Sequence, residues 1–251
     1  MKKRNLLFIP FLLGMGIGFF SCIDGSGRQT YMNVPAVVGF NLEMGGIVVG
    51  IPSDYGYLAA PSLTDVSEGD FIYINQFTID SNNQPSANYI TASNISKEIV
   101  DQSSVYRLYG LELGEYTLPL SNVKGWEYGV YSAFHNGRFF VTMSCKDKNP
   151  TFNLIYNMEE AGTDMEPDGV KNLYLVAKPS SGPESSDYVS ARHAFNLSEL
   201  IQNGPILTDN EGNSMNLRYI KINLKYLSKM TDGKPEFTAA NSTPIMLCMF
   251  Q

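Results

Sequence analysis

The strongest constraint on the fold is a period-two pattern that keeps starting and stopping. It is clearest over 217–226, where Ile220, Ile222, Leu224 and Tyr226 alternate with Lys221, Asn223 and Lys225. Successive side chains of a strand point to opposite faces, so this stretch is a strand with one wet face. A helix would need its apolar residues three and four apart. The same rhythm runs from residue 34 onward. Apolar, β-branched or aromatic runs at 37–42, 47–51, 57–60, 71–79 and 87–95 are parted by turn residues: Gly45-Gly46, Asp54-Tyr55-Gly56, the polar stretch 61–69 and the stretch 80–85. Five strands in about seventy residues, two of them in a long hairpin, predict a small OB-like barrel over 34–101.

The second half carries strands at 126–134, 138–145, 152–156, 171–178, 188–195, 217–226 and 245–250. His135-Asn136-Gly137 predicts a hairpin turn, because Asn-Gly tolerates the left-handed backbone that tight hairpins need. Phe139, Val141, Met143 and Cys145 share one face of the return strand. Residues 196–203 read as a short helix capped by Asn196 or Ser198 and closed by Gly204. Strands at this spacing predict a β-sandwich over 102–251. The expected fold class is therefore all-β, an N-terminal OB-like small barrel followed by a C-terminal β-sandwich. The polar stretch 101–104 marks the expected boundary, with few contacts crossing it.

Ahead of these strands stands an export signal. Lys2, Lys3 and Arg4 precede an apolar run that ends at Phe19-Phe20-Ser21-Cys22. The run is short for a membrane span of about 20 residues and reads as a removable signal over 1–21. Its end resembles the looser lipobox of Bacteroidetes lipoproteins, with Phe20 where a small residue is usual. That resemblance implies lipid on Cys22 as the new N-terminus, and more than one acyl chain gives stable attachment. An ordinary cleaved signal would leave Cys22 a free thiol, and an uncleaved anchor is the third reading. Residues 22–33 are short on apolar side chains and read as a flexible tether. The expected location is the outer membrane. Asp24 is the only acid directly after the cysteine, so the periplasmic and surface faces both stay open.

Removing residues 1–21 leaves 230 of the 251 residues, and the formal net charge goes from −7 to −10 with the loss of three basic residues. That charge excludes nucleic acid and anionic lipid headgroups as natural partners. With Cys22 lipidated, Cys145 and Cys248 remain; an oxidising compartment allows a disulfide between them, and two buried thiols fit equally well.

Chemistry-bearing patterns are sparse. No HExxH, GxSxG, CxxC or Gly-rich phosphate loop occurs, and the two histidines, His135 and His193, fall in a turn and on a strand surface. The run Asp164 to Gly169 resembles half a calcium loop but lacks its closing glutamate, since position 175 is Leu. No metal site, cofactor or catalytic residue is expected. Tyrosines at 55, 57, 73, 89, 128 and 131 pack across strands or form a glycan platform. A single Trp favours packing.

Pro150-Thr151-Phe152-Asn153-Leu154-Ile155-Tyr156, an acidic loop and Leu173-Tyr174-Leu175 come in order. Arg192-His193-Ala194-Phe195-Asn196-Leu197-Ser198 and the 220–226 strand follow. In these stretches the chain resembles the NigD-like lipoproteins of Bacteroidales. Thr151 stands where that family usually has histidine. The resemblance implies a lipoprotein signal, an OB-type domain and a β-sandwich, and no established activity. The expected role is contact with an envelope protein, with Tyr55 and Tyr57 as candidate binding aromatics. A glycan-binding accessory role is the alternative, and a hydrolase built by the fold is the third.

Overall fold

The computed structural model describes residues 22–23, 27–53, 55–160 and 169–251. The signal reading over 1–21 and the acidic run 164–168 lie outside the described residues, and so does the side chain of Cys22. The architecture is all-β, in two sheets.

The first sheet holds β1 (Cys22–Ile23), β2 (Arg28–Asn41), β3 (Gly46–Gly50), β4 (Tyr57–Ala59), β5 (Phe71–Asp80) and β6 (Ala92–Ile99). Its order is β4-β3-β2-β5-β6, with β1 beside β2. A parallel bridge from Ala59 to Thr91, with the Ala59 N–H donating to the Ile90 carbonyl at 2.9 Å, joins the two ends. The sheet thus closes into the OB-like barrel. Val34, Ala36 and Val38 of β2 face its core with Ile72 and Ile74 of β5. Asn33 takes a left-handed backbone (φ 60), and the β5–β6 register slips between Ile74 and Gln76. Past that point the inward positions change parity, to Tyr31 on β2 and to Phe77 and Ile79 on β5.

The strand expected at 37–42 begins much earlier. Arg28–Met32 pairs with β5, so the tether reading over 22–33 is corrected: its last six residues are strand. Tyr31 anchors them, stacked on Phe77 with centroids 4.8 Å apart, and Arg28 pairs with Asp80 at 3.0 Å.

The second sheet contains β7 (Gln102–Leu108), β8 (Ser121–Gly125), β9 (Arg138–Cys145), β10 (Thr151–Asn157), β11 (Val170–Lys178), β12 (Val189–Asn196), β13 (Ile206–Thr208), β14 (Ser214–Thr231), β15 (Lys234–Ala239) and β16 (Ile245–Phe250), with helix α1 (Ser198–Gln202) after β12. The order is β13-β14-β11-β10-β7-β12-β9-β8, and β15 and β16 pair with β14. β7 runs parallel to both β10 and β12 and turns the corner between two layers. Phe139, Val141, Met143, Cys145 and Phe195 of one layer pack on Leu154, Leu173, Ile220, Ile222 and Leu224 of the other. The same-face readings on β9 and β14 thus point into one core. Asn196 accepts hydrogen bonds from the Ser198 backbone (3.0 Å) and hydroxyl (2.6 Å) just ahead of α1, whose N-cap position is Leu197 rather than the expected Asn196 or Ser198.

Two further expectations change. The strand expected at 126–134 is instead a 3-10 helix, Gly129–His135. The Asn-Gly signal is real, since Asn136 (φ 48) and Gly137 (φ 75) are left-handed, but it ends a helix rather than a hairpin arm. The stretch 101–104, expected as a polar boundary, is already strand from Gln102, with 102–104 paired to β12.

Candidate functional site

The two sheets meet in a shared apolar seam. Val37, Phe71, Tyr73 and Val100 come from the barrel side, and Trp126, Phe140 and Ala194 from the other. β5 explains why 71–79 reads as one apolar run: Ile72 and Ile74 fill the barrel, while Phe71 and Tyr73 on the other face fill the seam. Phe71 stacks on Phe140 at 5.4 Å, and Trp126 tilts against the same ring at 5.3 Å. The Arg192 guanidinium lies 4.2 Å from the Tyr73 ring centroid and pairs with Glu98, covering the seam's edge. A polar cleft of about 330 Å³ opens there, lined by Glu98, Asp101, Ser190 and Arg192 among others.

The 3-10 helix makes the second contact between the sheets. Phe134 sets its ring edge-on to Tyr57 at 5.3 Å and lies 5.7 Å from Phe250. Glycine makes room: a Cβ at Gly50 would stand 2.4 Å from the Phe134 carbonyl oxygen. His135, 2 % exposed, lies against the rings of Phe71 (5.6 Å) and Tyr128 (5.2 Å). Burial pushes its imidazole down to about 4, opposed by a hydrogen bond to the Pro35 backbone. Its Nε2 and the neighbouring Tyr128 hydroxyl have no hydrogen-bond partner among the described residues. His135 is therefore not the solvated turn residue that its sequence position implied.

His193 is also buried rather than on the strand surface. Its Nε2 lies 3.0 Å from Ser103 Oγ, and Phe195 and Phe152 flank the ring at 4.6 and 5.7 Å. Burial pushes this imidazole down to about 4, with Asp101 pulling the other way. A neutral imidazole on a serine hydroxyl is half of a nucleophilic pair. Among the described residues neither imidazole hydrogen-bonds a carboxylate, and Ser103 and His193 satisfy each other at the margin of the core. No group of three metal-ligating side chains occurs among the described residues.

The predicted binding aromatics diverge. Tyr55 is exposed and meets Tyr31 edge-on at 6.3 Å. Tyr57 is half-buried against Phe134, and burial raises its hydroxyl. They form no common platform. Cys145 and Cys248 are buried free thiols in different apolar clusters, so the structure holds no bridge between them. Burial pushes both thiols up. The Cys145 thiol approaches the Asp147 carbonyl at 3.3 Å, and the Cys248 N–H donates to Ser132 Oγ at 2.6 Å.

Tyr57 does line a groove of about 250 Å³ at the hairpin end of the barrel. Gly39, Asn41 and Val48 line it on the outward face of the barrel sheet, with Phe40, Glu68, Gly69 and Asn136 around them. Phe40 in this lining is 58 % exposed, and Leu42, two residues on in the chain, is 82 % exposed. Asn41 accepts from the backbone N–H groups of Glu43 (2.8 Å) and Met44 (3.2 Å), which fixes the hairpin and holds Leu42 outward. Sequence reasoning missed Phe40 and Leu42 because both continue an apolar strand. The available signal was Leu42 itself, an apolar residue at the edge of a Gly-Gly turn.

No protein-family model and no curated protein matches this chain. Solved structures do align with it. An uncharacterized protein from Parabacteroides merdae covers 87% of this chain and 98% of its own, at 15% identity and a TM-score of 0.60. A candidate lipoprotein from Bacteroides fragilis covers 88% and 96%, at 13% identity and 0.50. A NigD-like immunity protein from Bacteroides caccae covers 82% and 90%, at 16% identity and 0.49. At these identities the likeness is one of fold.

Proposed function

We propose that this is a lipid-anchored protein of the outer membrane that acts by contact with another envelope protein and not by catalysis. The observation that carries this reading is the exposed pair Phe40 and Leu42 beside the barrel groove. Apolar side chains this open on a fixed hairpin mark a contact surface better than a packing residue. Their place fits the anchor. The backbone of Cys22 pairs with Thr30 near the start of β2, and Leu42 follows its far end. Twelve strand residues span at most about 40 Å. Lipid on Cys22 would therefore hold one end of β2 at the membrane and present the groove at the other. The buried settings of His135 and His193 support a non-catalytic role.

The test places a photo-crosslinking residue at position 42 in the full chain in its own cells, with position 83 in the β5–β6 turn as control. We expect a discrete adduct with an envelope protein from 42 and none from 83. We also expect Cys22→Ser to release the protein from membranes and abolish the adduct. Fractionation unchanged by Cys22→Ser would overturn the anchor, and no adduct from 42, or the same adducts from both positions, would overturn the contact role.

A further inference from the structure

Resting on the contact reading above, we propose that the hairpin end of the barrel docks a basic, amphipathic polypeptide segment. The first observation is a one-sided charge distribution. Residues 29–96 contain no Lys, Arg or His, yet hold six acids: Glu43, Asp54, Asp65, Glu68, Asp70 and Asp80. Two of these frame the docking surface. Glu68 lines the groove, and Glu43 follows Leu42 at the hairpin tip. Neither has an ion-pair partner among the described residues, whereas Asp80 is paired with Arg28. One cation of the second sheet, Arg138, stands at the border beside Gly69 and donates to the Asn136 carbonyl at 3.0 Å. Like charges gathered on one end raise the local concentration of an oppositely charged partner and repel a wrong one.

The second observation is shape. The groove has an apolar floor with a carboxylate on its wall, and Gly39 keeps it open, since a Cβ there would meet Val48 at 3.2 Å. That combination suits a Lys or Arg side chain. Its methylenes lie on Gly39 and Val48 while its head reaches Glu68. Phe40 and Leu42 then take apolar residues of the same segment. At about 250 Å³ the groove falls below the range of roughly 300–1,000 Å³ usual for small-molecule sites. A segment that inserts one or two side chains fits it better than a ligand that must be enclosed. The net negative charge also removes nucleic acid and anionic membrane as occupants.

The test titrates the detergent-solubilised full chain with a labelled amphipathic Lys/Leu peptide, and separately with its Glu/Leu counterpart. We expect only the Lys/Leu peptide to bind, with affinity falling as salt screens the charges. Glu43→Gln/Glu68→Gln should weaken it about tenfold, while Glu184→Gln/Glu211→Gln, the same charge removed on the other sheet, should leave it unchanged. Leu42→Ser, at an exposed position, should weaken it at least about tenfold with the thermal midpoint unaltered. Equal binding of both peptides, equal loss from both charge pairs, or a Leu42→Ser chain that binds like the parent would overturn the proposal. The two readings fail separately. An adduct from position 42 without preference for the basic peptide overturns the occupant and spares the contact role. Basic-peptide binding without an adduct does the reverse.

Discussion

His135 shows how much one residue's setting can depend on distant chain. An imidazole whose folded value lies near 4, below the ordinary 6.5, is held neutral by the native state. Above pH 6.5 both folded and unfolded forms are neutral and stability is full. Between 6.5 and 4 the unfolded chain takes up a proton that the native one refuses, so stability falls as pH falls. Below 4 the native form protonates too and the loss levels off. His193 behaves alike, and each contributes a loss of at most about 3 kcal/mol. We expect urea midpoints to drop across that window. His135→Phe, which keeps a ring against Phe71 and Tyr128, should drop less. Identical pH slopes for parent and variant would refute the assignment. The sequence around His135 did reveal the left-handed Asn136-Gly137 turn, which is local chemistry. The burial was illegible, because it comes from Pro35, Phe71 and Tyr128, none of them readable as neighbours.

Among elements, the 3-10 helix of 129–135 carries the join between the sheets, and glycine lets it approach. Gly50→Ala sets a methyl against the backbone oxygen of Phe134, which cannot rotate away. We expect a loss of roughly 1–3 kcal/mol, seen as a lower thermal midpoint. Gly39→Ala meets only a valine methyl and should cost less. An equal loss at both sites would show that the helix does not press on β3. Strand positions were legible where one face is wet, as on β14. They were illegible where polar residues fill a paired strand, as over 28–32, where Tyr31 alone reports the core. The 3-10 helix was mistaken for a strand because Trp126, Tyr128, Val130 and Tyr131 have the residue types of a strand without its partner.

For the whole molecule, the seam decides whether two sheets behave as one body. Trp126, the single tryptophan, is buried in it. Its fluorescence therefore reports the seam, while far-ultraviolet circular dichroism reports both sheets. We expect the two unfolding curves to coincide. Fluorescence changing first would mean that the seam opens before the sheets melt. Proteolysis should likewise spare 102–104, since β7 is paired with β12 there. The chain passes between the sheets once, through Val100 and Asp101. Everything else holding them together is noncovalent, so that single peptide passage acts as a very short leash. It sets an effective concentration of each half for the other, and cutting it would turn an intramolecular docking into an ordinary equilibrium between two proteins. The affinity of those halves, measured against dilution, would give the strength of the seam without unfolding anything.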